Sequence, residues 1–482
     1  MSTVDNHGHT VEKIGGTSMS QYKVVRDNIF LNPTLTTPYQ RLFVVSAYSG
    51  MTDRLLEHKR SGEPGVYGRY ASGESNEAWQ QALGQVREAM LTKNAELIHD
   101  TFRRAQANNM ISQRIAGIES CLLDLRRLCS SGHFKLDDHL QTVRELLASL
   151  GEVHSALNTV LLLQSEGIRA RLVDLSGWQD DRKLTLDERI QDGLADIDFS
   201  NELPIITGYA QCDGGLMHSF DRGYSEMTFS RVAVISKACE AIIHKEYHLS
   251  SADPRLVGDE KVVPIGRTNY DIADQLSNLG MEAIHPQAAK GLRQQGIDLR
   301  VKNTFEPEHN GTLITSDYVS QDACVEIIAG REQVFAIAVF DQDMVGRFGY
   351  DEQILAALKR FKAKVIAKDI NANTITHFVA ANLKTIRRVL KELHASFPSA
   401  DISSQEVSIV SALGSDMQAP GILAKTVTAL ANAGISILAV HQSMRQVDMQ
   451  FVIAPENYTR AICALHQCLV EPHNHGVAIC AA

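Results

Sequence analysis

The spacing of apolar residues changes period several times along the chain. Residues 41–47, R-L-F-V-V-S-A, form a compact run rich in β-branched side chains that stops at the small-residue turn Y-S-G-M-T. That pattern predicts a buried strand feeding a loop, as in parallel α/β sheets. From Asn76 to about Leu163 the period lengthens. Ile115, Ile118, Leu122 and Leu125 recur at helical spacing, with few glycines or prolines between, which predicts an all-helical insert of four or five helices over about 76–163. Strand-like runs return at Ala170–Leu175 and at L-P-I-I, residues 203–206. A glycine-punctuated loop follows, then a helix from about Glu226 to Cys239 and strands near 241–243 and 299–302. Strands alternating with helices predict a doubly wound, mostly parallel sheet.

After a break at N-G-T-L-I-T-S-D-Y, residues 310–318, the chain repeats itself. A strand at Val334–Phe340 precedes a helix at Tyr350–Phe361, a strand pair at Lys364–Ile370 and Thr374–Ala380, and a second helix at Leu383–Ser396. From Val407 the order recurs: S-I-V-S-A-L, the helix P-G-I-L-A-K-T-V-T-A-L-A-N-A-G, I-S-I-L-A-V, M-Q-F-V-I-A and a helix over Glu456–Leu469. Two βαββαβ units of similar length predict paired ferredoxin-like modules. The expected division is a catalytic α/β domain over 1–318 and two modules over 319–400 and 401–482.

The net charge of -10 over 482 residues disfavours non-specific nucleic-acid binding and anionic membrane surfaces. Any anion site must therefore be locally basic. The eight cysteines contain no C-x-x-C pair and read as buried thiols of a reducing compartment. The polar first ten residues carry no signal-peptide pattern, and apolar runs such as Val160–Leu163 fall short of a membrane span. The expected location is the cytoplasm. The histidines of the polar termini, His7, His9, His473 and His475, show no third ligand, so no metal site is assigned.

Candidate chemistry begins at V-E-K-I-G-G-T-S-M-S, residues 11–20. On its own this stretch reads either as a Gly-Gly turn after a short strand or as a phosphate cradle whose lysine neutralises the anion. No G-x-x-x-x-G-K-[ST] pattern is present, which excludes a P-loop. Four further segments bear on the choice: Val45–Asp53 (V-S-A-Y-S-G-M-T-D), Ser149–Ser155 (S-L-G-E-V-H-S), Phe220–Thr228 (F-D-R-G-Y-S-E-M-T) and Ser251–Arg255 (S-A-D-P-R). In this order they resemble the aspartate kinases, enzymes of the amino-acid-kinase fold, and D-R-G-Y-S-E-M-T with H-K-E-Y-H-L-S-S-A-D-P-R most resembles those linked to ectoine synthesis. The resemblance covers nearly the whole chain, and the two tail modules resemble ACT domains.

The resemblance implies ATP- and Mg2+-dependent phosphorylation of the β-carboxylate of L-aspartate. A carboxylate nucleophile is ionised at neutral pH and needs no general base, so catalysis consists of positioning and charge stabilisation. By resemblance, Lys13 meets the γ-phosphate, and Gly15, Gly16, Thr17 and Ser18 form the phosphate loop. Ser46 lines the transfer path, Arg222 grips a substrate carboxylate, and Glu152 pairs with the substrate ammonium. Thr52 and Ser225 add hydrogen bonds, while Glu226, Asp253 and Arg255 belong to the nucleotide side. Taken singly, Glu152 also reads as a helix-capping carboxylate, Arg222 as a surface ion pair and Asp253-Pro254-Arg255 as a turn. Pairing through the ACT modules implies a homodimer or larger assembly.

The sequence departs from the family pattern in three places. Gly223-Tyr224-Ser225-Glu226 stands where Gly-Gly-Ser-Asp is usual, His244-Lys245 where a Thr-Asp pair is usual, and Glu282 where a lysine is usual. The phosphate and aspartate ends look kept and the nucleoside end rebuilt. Two rivals stay open: a sister kinase acting on glutamate, acetylglutamate or a nucleotide, and a silent ACT-type amino-acid sensor. In lysine-sensitive relatives the first module holds lysine against the loop that here reads D-Q-D-M-V-G-R-F-G-Y, residues 341–350. The cationic side chain of such a ligand is expected to meet Arg347 and Lys368 and to lack a partner of its own, so lysine is not expected to act here.

Overall fold

The computed structural model describes all residues except 1–7, 60, 74, 221–222, 282, 322–323 and 473–482. It divides into two compact units. The first comprises the chain up to His248 with Ile284–Thr315, the second Leu249–Ala283 with the chain from Ser316 onward.

In the first unit the strands are β1 (Thr10–Ile14), β2 (Arg41–Val45), β3 (Ala170–Val173), β4 (Leu203–Thr207), β5 (Glu240–Lys245), β6 (Asp298–Asn303) and β7 (Thr312–Thr315). They lie in the order β3-β4-β2-β1-β5-β6-β7. All neighbours are parallel except β7, which runs against β6. Strand β2 is buried at all five positions, as an apolar run between two helical layers requires. Phe30, Phe43, Val45, Ile205 and Val160 share one core cluster there.

The helical insert is three long helices, not four or five: α2 (Asn76–Leu97), α3 (Thr101–Ser130) and α4 (Leu140–Ser165), preceded in the chain by the short α1 (Gly16–Met19). The periodicity of α3 runs unbroken because Ala107, Ile111, Ile115, Ile118 and Leu122 form one buried stripe. Asp100 caps its start by accepting from the Arg103 amide. Helix α4 is buried on nearly every side. It is, among the described residues, the one helix long and apolar enough to cross a membrane, but 89% of its apolar window is buried inside the protein. The core position accounts for that composition.

In the second unit one six-stranded antiparallel sheet carries both modules. Its strands are β8 (Ile327–Phe340), β9 (Lys364–Ile370), β10 (Thr374–Ala380), β11 (Asp401–Leu413), β12 (Ile437–Gln442) and β13 (Asp448–Ile453), in the order β9-β10-β8-β11-β13-β12. Strands β8 and β11 serve both modules. Residues 334–340 of β8 pair with β10 and with 401–407 of β11, whereas 327–331 pair with 409–413. The change of module coincides with Gln333 at φ 57° on β8 and a register shift between Val407 and Ile409 on β11. Module one packs helices at Tyr350–Arg360 and Leu383–Ser396 on its half, and module two packs helices at Ile422–Asn432 and Tyr458–Leu469.

The seven described cysteines are free thiols, but none is buried: Cys121, Cys239 and Cys468 are exposed and the others half-buried. The expectation of buried thiols is corrected accordingly. Cys121 and Cys468 sit on helices and Cys239 just before a strand, its thiol donating to the His9 carbonyl at 3.2 Å.

Candidate active site

The site is built at the carboxyl ends of β1, β2 and β4, where an open α/β sheet places its ligands. A cavity of about 330 Å3 there brings together Gly16, Thr17, Ser46, Thr52, Glu152 and Ser225, and Tyr224 also lines it. These residues come from four separate segments, and six of them are sequence-level candidates.

Lys13, on β1, is 7% exposed. Its ammonium lies 3.6 Å from Glu226 in the first turn of α5 (Tyr224–Ser236). Burial alone would raise the Glu226 carboxyl, but Lys13 and then Lys245, with the His285 amide, outweigh it and hold it below the usual carboxylate range. That amide donates to Glu226 Oε2 at 2.5 Å. Gly15 caps α1 with extended backbone, and Gly16 is required by close approach, since a Cβ there would lie 2.4 Å from the Ala47 carbonyl oxygen. Thr17 is exposed, while the Ser18 hydroxyl is turned inward to Thr304 at 3.0 Å and Glu246 at 3.3 Å.

Ser46 follows β2, and its hydroxyl lies 3.4 Å from that of Ser225. Gly208, after β4, lets the two approach: a Cβ there would meet Val45 O at 2.8 Å, Ser225 Cβ at 2.9 Å and Glu152 Cγ at 3.2 Å. Glu152 sits in the middle of α4, so it caps nothing. It is 2% exposed. Its Oε1 accepts from the Tyr224 hydroxyl at 2.6 Å, and its Oε2 is buried with no hydrogen-bond partner. Burial pushes this carboxyl up to about 7, while the Tyr224 hydroxyl, the amides of Glu152 and Ala47 and the Lys13 ammonium pull the other way.

Arg222 lies outside the described residues. Asp253 and Arg255 belong to the second unit. There Asp253 caps a short helix, accepting from the Arg255 amide at 2.9 Å and pairing with its guanidinium at 2.7 Å.

On the opposite sheet face, Glu12 is clasped by the Arg41 guanidinium at 2.6 and 3.0 Å and by His244 Nε2 at 2.6 Å. Burial opposes ionisation of Glu12, but Arg41 and His244 hold its carboxyl far below the usual range. Burial also lowers His244, so the neutral imidazole donates to the carboxylate. His244 is thus a core residue joining β5 to β1. Lys245, one residue on, shares the face of Lys13.

The chain matches the amino acid kinase family over residues 9–303. It belongs to that family. An ACT domain match covers residues 410–469. The chain is 57% identical to Aspartate kinase Ask_Ect of Stutzerimonas stutzeri (strain A1501) over 475 residues, covering 98% of this chain and 100% of that protein. It is 26% identical to the aspartokinase of Saccharomyces cerevisiae, over 68% of this chain and 69% of that one. Its fold is similar to that of E. coli aspartokinase III in complex with lysine and aspartate, with a TM-score of 0.70 at 17% identity, covering 96% of this chain and 100% of that one.

Sequence reasoning missed Tyr224 and Gly208 as site residues. Tyr224 was visible only as a departure from the family pattern, and Gly208 stands in T-G-Y-A with no motif around it.

Proposed function

We infer that the chain is an aspartate kinase, transferring the γ-phosphoryl group of ATP to the β-carboxylate of L-aspartate to give 4-phospho-L-aspartate. The observation that carries this reading is the Glu152 carboxylate, buried with one oxygen unpartnered and opening on the cavity that holds Ser46, Thr52 and Ser225. A buried unpaired carboxylate oxygen is costly, and a substrate ammonium is the partner that relieves it. Lys13 stabilises charge on the transferring phosphoryl group, with Glu226 fixing its position. The loop Gly15, Gly16, Thr17 and Ser18 receives the phosphates through backbone amides, because the Ser18 hydroxyl is already bonded elsewhere. Ser46 lies along the transfer path, Thr52 and Ser225 bond the substrate, and Arg222 grips its α-carboxylate.

Among the described residues no group of three or more His, Cys, Asp or Glu forms a metal cage. Mg2+ would enter with ATP as its phosphate complex. When bound, it would supply charge neutralisation to the phosphates. The ACT modules pair subunits into a homodimer or larger, and the exposed Leu438 and Val440 on edge strand β12 supply apolar area for this. The pathway served is ectoine synthesis and the location the cytoplasm.

A hydroxamate-trapping assay with ATP, Mg2+ and a panel of acidic amino acids tests the reading. Acyl phosphate is expected with aspartate and not with glutamate or acetylglutamate. No acyl phosphate from any of them, or equal yields from glutamate, would overturn it.

A further inference from the structure

The Tyr224 hydroxyl donates to one oxygen of Glu152 at 2.6 Å, while the other oxygen is buried and unspent. We propose that Tyr224 is a positioning residue for substrate recognition, pinning Glu152 Oε1 so that Oε2 is presented to the ammonium of bound aspartate. The proposal rests on the aspartate kinase reading and deepens it.

Packing holds Tyr224 in this position. Its ring is 3% exposed and packs edge-on against Tyr209, with centroids 5.8 Å apart. It opens α5, next to Ser225 and two residues before Glu226. One helical turn therefore places the groups that face the ammonium, the transfer path and Lys13. Glycine, usual at this position in the family pattern, has no hydroxyl to offer. A carboxylate with both oxygens free could rotate about its last bond and present either one. A short hydrogen bond to one oxygen removes that freedom before substrate arrives.

The same bond bears on the charge of Glu152. The charged and titratable groups facing this carboxyl are Lys13 from β1, Tyr224 from α5 and Tyr209 after β4, and the Ala47 amide after β2 adds a dipole. Burial pushes the carboxyl up to about 7, and of the opposing influences the Tyr224 hydroxyl is the largest. Only the ionised form attracts an ammonium. Losing the phenol should therefore cost both orientation and ionisation, and a ring that merely fills space would cost neither.

Tyr224→Phe keeps the ring and removes the donor. Two readouts decide, with thermal unfolding as a check on folding. In the first, carbon-13 NMR follows the Glu152 carboxyl through a pH titration of the ligand-free protein, the resonance being assigned by its loss in Glu152→Gln. The midpoint is expected to rise by about one pH unit. In the second, aspartate KM at pH 8 is expected to rise about 10-fold, with KM for ATP unchanged and the acid limb of kcat/KM for aspartate moved to higher pH. Tyr224→Gln, which restores a donor, is expected to fall between the parent and Tyr224→Phe in both. An unmoved midpoint, or an unmoved aspartate KM, would overturn the proposal. The two readings fail differently: a parent enzyme that forms no acyl phosphate overturns the kinase reading, whereas the NMR midpoint reports on the Tyr224–Glu152 bond without turnover.

Discussion

The Lys13 ammonium and the Glu226 carboxylate lie 3.6 Å apart, with 8% and 15% of their side-chain surfaces exposed. Two buried opposite charges at this distance hold each other in place, and removing either leaves the other uncompensated. The pair thus holds a cation at the end of β1, where the loop from Gly15 to Ser18 begins. Lys13→Met keeps the stem and loses the charge, so kcat is expected to fall about 10²-fold or more while aspartate KM changes little. A variant turning over within a few-fold of the parent would remove Lys13 from the transfer step.

Glu226→Gln tests the positioning side of the same pair. It leaves the Lys13 charge in place but frees it from its partner, so the loss in kcat is expected to be smaller, about 10-fold. Steady-state kinetics on both single variants and on the double variant decide. If the two residues act as one unit, the double variant is no worse than Lys13→Met; losses that multiply would separate them.

Most of the cavity residues Gly16, Thr17, Ser46, Thr52, Glu152, Tyr224 and Ser225 were singled out from the sequence, and the reasons differ by residue. Lys13, Gly16, Ser46 and Ser225 stand at ends of strands or starts of helices, where punctuation by small residues marks the turn. Glu152 was legible only as one of two readings. Its place in the middle of a helix buried all round follows from packing that no local pattern shows. The partner of Glu152 was hidden because Tyr224 and Glu152 are 72 residues apart in sequence. His244 was noted only as a departure from the family pattern, and alternation along β5 turns it away from the Lys13 face and onto Glu12. In the second unit the repeat was visible, but the sharing of β8 and β11 was not. A strand that changes partners half-way has the same apolar alternation as one that does not.

Glu152→Gln separates substrate binding from stability. Because the ionised carboxylate is penalised by burial, the neutral amide should leave thermal stability unchanged or slightly raised at pH 8. Aspartate KM should rise about 10-fold or more through the lost charge-assisted bond. A melting temperature that falls by several degrees with kinetics intact would assign Glu152 to structure alone.

His154 makes stability depend on pH. It is fully buried, with Nε2 bonded to Asn94 at 2.7 Å and Asn158 beside it, and burial lowers its pKa to about 3. The unfolded chain takes up that proton near the ordinary value of about 6.5. Its contribution is therefore fully present above about pH 6.5 and is lost as pH falls towards 3, at up to about 1.4 kcal/mol per pH unit. Urea unfolding at pH 8, 6 and 5 should show the decline, and His154→Gln should flatten part of it. Buried His244 and His377, whose pKa values are also lowered, act in the same direction. A slope identical in parent and variant would show that His154 is not among the groups responsible.

The last prediction concerns regulation through module one. A lysine effector's side chain was expected to meet Arg347 and Lys368 without a partner of its own; in the structure Arg347 pairs with Asp343 at 3.5 Å and Lys368 with Asp351 at 2.7 Å. His377 also faces Asp351, at 3.2 Å. In the loop after β8, Asp341 accepts from the Asp343 amide, the Tyr350 hydroxyl and the Ser399 hydroxyl. The acidic groups near this loop are thus already engaged, and an incoming ammonium would have to displace Lys368 to gain a carboxylate. Exchanging one ammonium for another on the same carboxylate yields little differential free energy, and without it no effector shifts an equilibrium. Millimolar lysine is therefore expected to leave the rate unchanged at sub-saturating aspartate, where an allosteric coupling of the usual size, about 5-fold or more, would be plain. Lys368→Ala releases Asp351 and is the variant in which weak lysine binding should first appear by calorimetry. Strong inhibition of the parent by lysine alone would show that the effector is held by groups other than these.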